Sequence, residues 1–282
     1  MKIVDFIMPE TVPDARAALL ELGESGIPAA GCTAFQFYAD GPARTAVLLN
    51  RLDLAGICST PEAFVIGAGT PLTTLHRFEA EGWALNGVVA QIASHQIRNI
   101  STLGGNIARV FPWADLPVAL LALDGKILMQ GKDPRTYTVD EYFKTQPTTL
   151  FTTGDLLTSI EVKPLAPNTG FAHIKQRMKS ESFSMSTASA RVTMKDGLAT
   201  SCRLALGACI PFPTRIGTLE EALAGSDLSD RPALDQAVTA ALKPLSFLPK
   251  EGMTKDYIRH LAATTLADAV EQAAQDAQRR HS

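Results

Sequence analysis

The chain has 282 residues, with 26 Lys plus Arg against 29 Asp plus Glu and a net charge of −3. Apolar residues make up 46% and charged residues 20%, an ordinary globular balance that excludes disorder, collagen and coiled coil. The length gives room for about two domains, and a near-neutral chain lacks the positive field of a nucleic-acid binder.

The N-terminus carries Asp5 early and Pro9 cuts its apolar stretch, so no signal peptide is expected. Thr11 caps a predicted helix with Pro13 and Asp14 in the first turn, Gly23 as its stop, and Ala15, Leu19 and Leu20 toward a core. Ile27 to Ala30 reads as a short buried strand ending at Gly31. Further strands are expected at Thr45 to Leu49 and Ala63 to Ile66. Helices are expected from Pro71 to Ala80 and from Leu85 to Ile92. Between Ile97 and Ile107 the periodicity breaks into a polar, glycine-paired stretch.

Leu116 to Leu123 reads as a buried helix or strand. It is the longest apolar run, at eight residues, far short of the ~20 that span a bilayer, so a cytoplasmic protein with no membrane span is expected. Asp124-Gly125 is expected to start a hairpin-like turn into a strand over Lys126 to Met129. A short helix over Val139 to Phe143 and a strand over Leu156 to Val162 follow. Pro164, Pro167 and Gly170 mark a domain boundary. Beyond it, strands at Phe171 to Lys175, Thr187 to Met194 and Ser201 to Cys209, the last two joined by Lys195-Asp196-Gly197, predict an antiparallel sheet. Helices at Leu219 to Leu223, Pro232 to Leu242 and Lys255 to about Arg279 complete an α+β pattern.

Cys32, Cys58, Cys202 and Cys209 show no CxxC spacing, and the five histidines lack metal-ligand spacing. No GxSxG elbow is present. Neither a metal site nor an acid–base catalytic set is therefore expected. Gly67-Ala68-Gly69 lacks the third glycine of a dinucleotide fingerprint, because Leu72 stands there, and reads as a strand-ending turn. Thr102 to Asn106 carries more chemistry. Gly104 and Gly105 allow close approach, and successive N–H groups form an anion-binding concavity. Thr102 adds a hydroxyl, Asn106 an amide, and Arg98 a positive charge upstream. The set suits phosphate or pyrophosphate, and equally a tight structural turn. Ala30-Gly31-Cys32-Thr33, at the end of a strand, is a second such loop.

Together these segments resemble a known family. Gln96-Ile97-Arg98-Asn99-Ile100-Ser101-Thr102-Leu103-Gly104-Gly105-Asn106-Ile107, followed by Pro112 and Asp115, resembles the second FAD loop of the molybdenum hydroxylase flavoproteins. These are the FAD-binding medium subunits of xanthine and carbon monoxide dehydrogenases. Ala29-Ala30-Gly31-Cys32-Thr33 occupies the place of the first FAD loop. Ile66 to Leu72, Phe171 to Lys175, and Leu204 to Ala208 with Pro211 and Pro213-Thr214-Arg215 follow in family order, so the resemblance covers nearly the whole chain.

The resemblance implies an α+β protein. Residues 1–166 would form an FAD-binding domain of vanillyl-alcohol-oxidase type, with two subdomains split near residue 57. Residues 167–282 would form a small α+β domain with an antiparallel sheet, FAD lying noncovalently between the two. The implied FAD contacts are Ala29, Ala30, Gly31, Cys32, Thr33 and Ala34, then Thr102, Gly104, Gly105 and Asn106, with Asp115 and Lys175. The implied activity is that of an electron-transfer subunit of a molybdenum-cofactor hydroxylase or dehydrogenase. An iron–sulfur small subunit would carry two [2Fe–2S] clusters, a large subunit the molybdenum cofactor, and an acceptor such as NAD would take the electrons. The alternatives are a stand-alone FAD oxidoreductase of the same fold and a structural subunit that has lost FAD. One departure stands out: Cys32 replaces a usual glycine, where a side chain crowds a left-handed torsion or the phosphates.

Overall fold

The computed structural model describes residues 1–38, 41–179, 182–250 and 252–280. In chain order the elements are β1 (Lys2–Ile7), α1 (Val12–Leu22), β2 (Gly26–Ala29), β3 (Ala43–Leu48), β4 (Ile57–Ser59), β5 (Phe64–Gly67), α2 (Leu72–Arg77), α3 (Leu85–Ala90), α4 (His95–Ile100), α5 (Leu103–Ile107) and α6 (Leu116–Ala122). There follow β6 (Lys126–Gln130), β7 (Pro134–Thr138), α7 (Val139–Phe143), β8 (Leu156–Val162), β9 (Thr169–Gln176), β10 (Ser186–Lys195), β11 (Leu198–Gly207), β12 (Thr214–Arg215), α8 (Gly217–Leu223), α9 (Arg231–Leu242) and α10 (Lys255–Arg279). No helix among the described residues is long and apolar enough to cross a membrane.

The α+β expectation holds, with three sheets. A parallel three-stranded sheet runs β1-β3-β2, an antiparallel five-stranded sheet β4-β5-β8-β6-β7, and an antiparallel four-stranded sheet β12-β11-β10-β9. Helix α1 forms as its sequence dictates. Thr11 Oγ1 accepts the Asp14 N–H at 3.2 Å, and Gly23, at φ 54, stops it. Its Ala15 and Leu19 pack on Val47, Leu52, Leu54 and Leu156, whereas Leu20 is exposed.

Every residue of α6 is buried. It lies between the core of the five-stranded sheet and strands β10 and β11. A helix covered on all sides has no polar face to display, which is why its sequence left helix and strand equally open. Just after it Asp124 takes a left-handed φ of 52. The Asp124-Gly125 turn is therefore a helix-ending turn into β6, and not a hairpin. The Asp124 carboxylate bonds Arg191, Arg203 (Nε, 3.1 Å) and Arg215 (Nη1, 3.0 Å). All three arginines belong to the C-terminal sheet, so this fan of ion pairs ties that sheet to α6.

In the C-terminal sheet α10 lies along β9 and β10. Its Ala269, Ala273 and Ala277 are buried, and small residues let the helix approach closely. A Cβ on Gly170 would stand 2.0 Å from the Ala273 carbonyl oxygen. Gly170 is thus a packing glycine inside β9, not a loop residue.

One reading of the sequence is corrected, and one strand is added that the sequence did not announce. The stretch from Ile97 to Ile107 is not irregular: α4 and α5 form there because Ser94 and Thr102 cap them, accepting the N–H groups of Ile97 and Gly105. Both helices are too short to show a period. Residues 2–7 form β1, although all six side chains are exposed. The strand is held by its ladder to β3, so no alternation of buried and exposed residues marks it.

Candidate cofactor site

A cleft of about 930 Å³ opens between the parallel sheet, the loops after β2 and α4, and the C-terminal sheet. The first loop supplies Ala30, Cys32, Thr33 and Ala34 to its wall; the second supplies Ser101, Thr102, Gly105 and Asn106. Asp115 and Lys175 line it from the two sides of the domain boundary. Ala29, Gly31 and Gly104 stand behind this wall.

The first loop has an unusual hydrogen-bond inventory. Among the described residues, the N–H groups of Gly31, Cys32, Thr33 and Ala34 reach no protein acceptor. Cys32 is left-handed at φ 55, and Ala34 is right-handed at φ −89. Successive free N–H groups around a left-handed residue form a concave anion nest. Cys32 adopts the torsion that glycine favours, and its Sγ folds back to donate to the Ala30 carbonyl at 3.4 Å. The departure from glycine therefore leaves the left-handed torsion in place. Gly31 has a different reason: a Cβ there would lie 2.0 Å from the Ile100 carbonyl oxygen. Glycine here lets the two loops touch, and a 2.9 Å contact between the Thr33 and Ser101 hydroxyls joins them.

The second loop behaves in the opposite way. Leu103 N–H donates to Thr70 O (2.9 Å), Gly104 N–H to Ala68 O (2.8 Å), Gly105 N–H to Thr102 Oγ1 (3.1 Å) and Asn106 N–H to Thr102 O (3.0 Å). The expected concavity of free N–H groups is absent from this stretch. Gly104 is small because Ala68 lies against it, 2.8 Å from where a Cβ would be. The loop instead offers side chains to the cleft, and Asn106 Oδ1 is buried with no partner among the described residues. Arg98 does not face an anion either. Its Nη1 donates to the carbonyls of Ile92 (2.8 Å), Ala93 (3.0 Å) and Ala90 (3.3 Å), closing the turn after α3.

Asp115 occupies the N-cap position of α6 but does not cap it with its side chain. Its carboxylate crosses the domain boundary instead. Lys175 Nζ lies 2.7 Å from Oδ2, the Ser184 and Thr187 hydroxyls donate to Oδ1 at 3.3 and 3.4 Å, and His173 Nε2 stands 3.7 Å away. Burial opposes ionisation of Asp115, and His173 and Lys175 outweigh it, holding the carboxyl below the usual range. A second donation from Lys175 Nζ, to Gln91 O at 3.2 Å, leaves one of its three protons for the cleft.

An aromatic cluster not anticipated from the sequence borders the cleft. Trp113 stacks on Phe183 at 4.2 Å between centroids and on Phe111 at 5.2 Å. Phe37 meets all three edge-on. The guanidinium of Arg109 lies 4.5 Å from the Tyr38 ring centroid, a cation–π distance. Its residues come from three separate loops, so only the local pairs Phe35/Phe37 and Phe111/Trp113 were visible as signals.

A loop of N–H groups without acceptors among the described residues, beside a large cleft at a domain seam, is an arrangement suited to a nucleotide cofactor. Residues 2–165 match the family described as FAD binding domain in molybdopterin dehydrogenase, and residues 171–273 match the CO dehydrogenase flavoprotein C-terminal domain. The chain belongs to this family of molybdenum hydroxylase FAD subunits. It is 27% identical to the carbon monoxide dehydrogenase medium chain of Afipia carboxidovorans, over 95% of this chain and 96% of that one. It is also 27% identical to the 6-hydroxypseudooxynicotine dehydrogenase complex subunit alpha of Paenarthrobacter nicotinovorans, over 95% of each chain. Among solved structures, it aligns with carbon monoxide dehydrogenase from Hydrogenophaga pseudoflava lacking the Mo-pyranopterin moiety, at a TM-score of 0.90 and 25% identity. That match covers 99% of this chain and 98% of the other. Reconstituted carbon monoxide dehydrogenase from Oligotropha carboxidovorans aligns at 0.89 and 28%, covering 96% and 98%.

Proposed function

We propose that this chain is the FAD-carrying electron-transfer subunit of a cytoplasmic molybdenum-cofactor hydroxylase or dehydrogenase. It would work with an iron–sulfur small subunit and a molybdenum-binding large subunit, and pass electrons to an external acceptor such as NAD. The observation that carries the reading is the run of N–H groups from Gly31 to Ala34 that meet no acceptor among the described residues, three of them on residues lining a cleft of about 930 Å³. Such a nest suits the two negative charges of a pyrophosphate, and the cleft volume suits a dinucleotide. The unpartnered Asn106 Oδ1 is an acceptor suited to a hydroxyl of the cofactor.

In this reading the first loop holds the pyrophosphate through Gly31, Cys32, Thr33 and Ala34, with Ala29 and Ala30 setting the strand end that aims it. Thr102, Gly105 and Asn106 bind through side chains and surface, while Gly104 keeps the second loop in place. Asp115 and Lys175 face the cofactor from the domain seam. The FAD-binding domain ends near residue 166, with its subdomains meeting near residue 57, and the C-terminal domain begins at 167. When bound, FAD supplies the redox chemistry by exchanging electrons singly or in pairs. The protein orients it and sets the charge around it. No side chain is assigned a catalytic role in the acid–base sense.

The test is purification of the full chain, alone and coexpressed with candidate iron–sulfur and molybdenum subunits. A yellow protein with one FAD per chain that copurifies with both is the expected result. Folded chain that retains no flavin in either form refutes the reading. Flavin retention with substrate turnover by the chain alone favours the stand-alone oxidoreductase.

A further inference from the structure

Resting on the FAD reading above, we propose that His173 is a redox-linked proton site, taking up one proton as the cofactor in the cleft gains an electron pair. The His173 side chain is 2% exposed. Its Nδ1 lies 2.8 Å from Ser189 Oγ, and its Nε2 has no hydrogen-bond partner among the described residues. A buried polar atom without a partner is unfavourable by about 1–3 kcal/mol and calls for an explanation.

The surroundings supply one. The Nδ1 contact with the Ser189 hydroxyl can run in either direction, and Nε2 faces Asp115 Oδ1 at 3.7 Å. A ring protonated on both nitrogens donates to Ser189 and toward Asp115 at once, the latter as a charge-assisted hydrogen bond. On one side Asp115 and Lys175 line the flavin cleft. On the other, a pocket of about 210 Å³ at the domain seam reaches His173 past Gln91, Phe171, Asp276 and Arg280. His173 therefore lies between the cleft and solvent.

The charges facing it come from three elements. Asp115 precedes α6, Lys175 lies two residues on along β9 and so on the same face, and α10 brings Asp276 with Arg280, paired at 2.8 Å. Gln91 after α3 and the hydroxyls of Ser184, Thr187 and Ser189 are neutral. Asp115 shares its charge between Lys175 and His173, and Asp276 pairs with Arg280, so a charge on His173 is only partly compensated and a more negative cleft favours it. The step balances simply. Two electrons would enter the cofactor one at a time from an iron–sulfur donor, and one proton leaves a solvent hydronium, crosses the seam pocket and completes the imidazolium of His173. Reoxidation returns both.

The experiment uses the full chain loaded with FAD. Its two-electron midpoint potential is measured by equilibrium titration with dithionite against reference dyes from pH 5 to 9, the range spanning histidine titration. One extra proton per electron pair adds ~30 mV for each tenfold change in proton activity. The wild-type potential is expected to show that extra slope over part of the range, and His173→Gln to lose it. Parallel curves for the two proteins overturn the proposal. Should His173→Gln fail to fold, Ser189→Ala removes the Nδ1 partner and is expected to move the pH of the break; an unmoved break overturns the proposal equally. A chain that retains no FAD refutes the cofactor reading before any potential is recorded. Failure of this proposal alone appears only in flavin-loaded protein.

Discussion

Gly31→Ala isolates the contact that holds the first loop against the second. The added Cβ would be placed 2.0 Å from the Ile100 carbonyl oxygen and 3.1 Å from Ser101 Cα, all backbone neighbours. Ordinary contact begins near 3.4 Å, so the two segments must part by more than 1 Å, and no flexible side chain can yield instead. Overpacking of this kind destabilises by about 1–3 kcal/mol. Parting the loops also breaks the Thr33–Ser101 hydroxyl contact, worth about 0.5–1.5 kcal/mol. A loss of about 2–4 kcal/mol is expected, or roughly 5–10 °C in thermal unfolding. Displacing the nest by the same amount should weaken FAD binding about tenfold or more, the equivalent of one charge-assisted hydrogen bond. Gly87→Ala is the control: it lies in α3 with nothing within 4 Å of the added Cβ, and is expected to stabilise by about 0.5–1 kcal/mol. Differential scanning fluorimetry and flavin fluorescence titration read both effects. If Gly31→Ala melts with wild type and binds FAD equally well, the account of the loop contact is wrong.

Three further outcomes follow from the same geometry. Cys32→Gly removes a left-handed penalty of ~1–2 kcal/mol and adds ~0.4–1 kcal/mol of unfolded-chain freedom. A gain of about 0.5–1 kcal/mol is expected in chemical denaturation, and a loss of stability would contradict the assigned φ. Cys32 and Cys58 are exposed while Cys202 and Cys209 are buried, with burial pushing their thiols up to about 12 and about 11. A thiol reagent at pH 8 should therefore modify two cysteines in the native chain, and only Cys58 once FAD covers the cleft; mass spectrometry of the labelled peptides checks this. Asp115→Asn leaves Lys175 buried without its counter-charge, a loss of about 3–5 kcal/mol at pH 7. Because the folded carboxyl lies below its unfolded value of ~3.9, its contribution is complete above that value and disappears as pH falls through the folded one. Stability curves of variant and wild type should therefore converge only well below pH 4; convergence already at pH 6 would sink the assignment.

Much of the fold was legible because local chemistry and tertiary structure agree. Thr11, Pro13 and Gly23 bound α1 as caps and stop signals should, and the turn at Lys195 to Gly197 joins β10 and β11 as read. What was not legible depends on partners far along the chain. Strand β1 has no buried face and exists through its ladder to β3. Asp115 gains its meaning from Lys175, sixty residues on, and from His173, neither of which any spacing rule links to it. The aromatic cluster gathers three loops that no local pattern connects.

The glycines sharpen the point. A glycine in a loop has at least two physical causes: a ligand must come close, or another piece of backbone must. In sequence the two are indistinguishable, and the glycine pair Gly104-Gly105 looked the stronger anion site. The hydrogen bonds reverse that ranking. All four N–H groups from Leu103 to Asn106 are engaged within the protein, and Gly104 is small for the sake of Ala68. The first loop, with one glycine and a cysteine in the left-handed position, keeps four N–H groups in a row free of acceptors among the described residues. An anion nest is defined by donors without acceptors and by one left-handed residue, and neither requirement names glycine. Cys32 satisfies the second at the modest penalty of a left-handed side chain, so the replacement of the usual glycine is compatible with a working cofactor loop and gives no reason to read the chain as one that has lost its flavin.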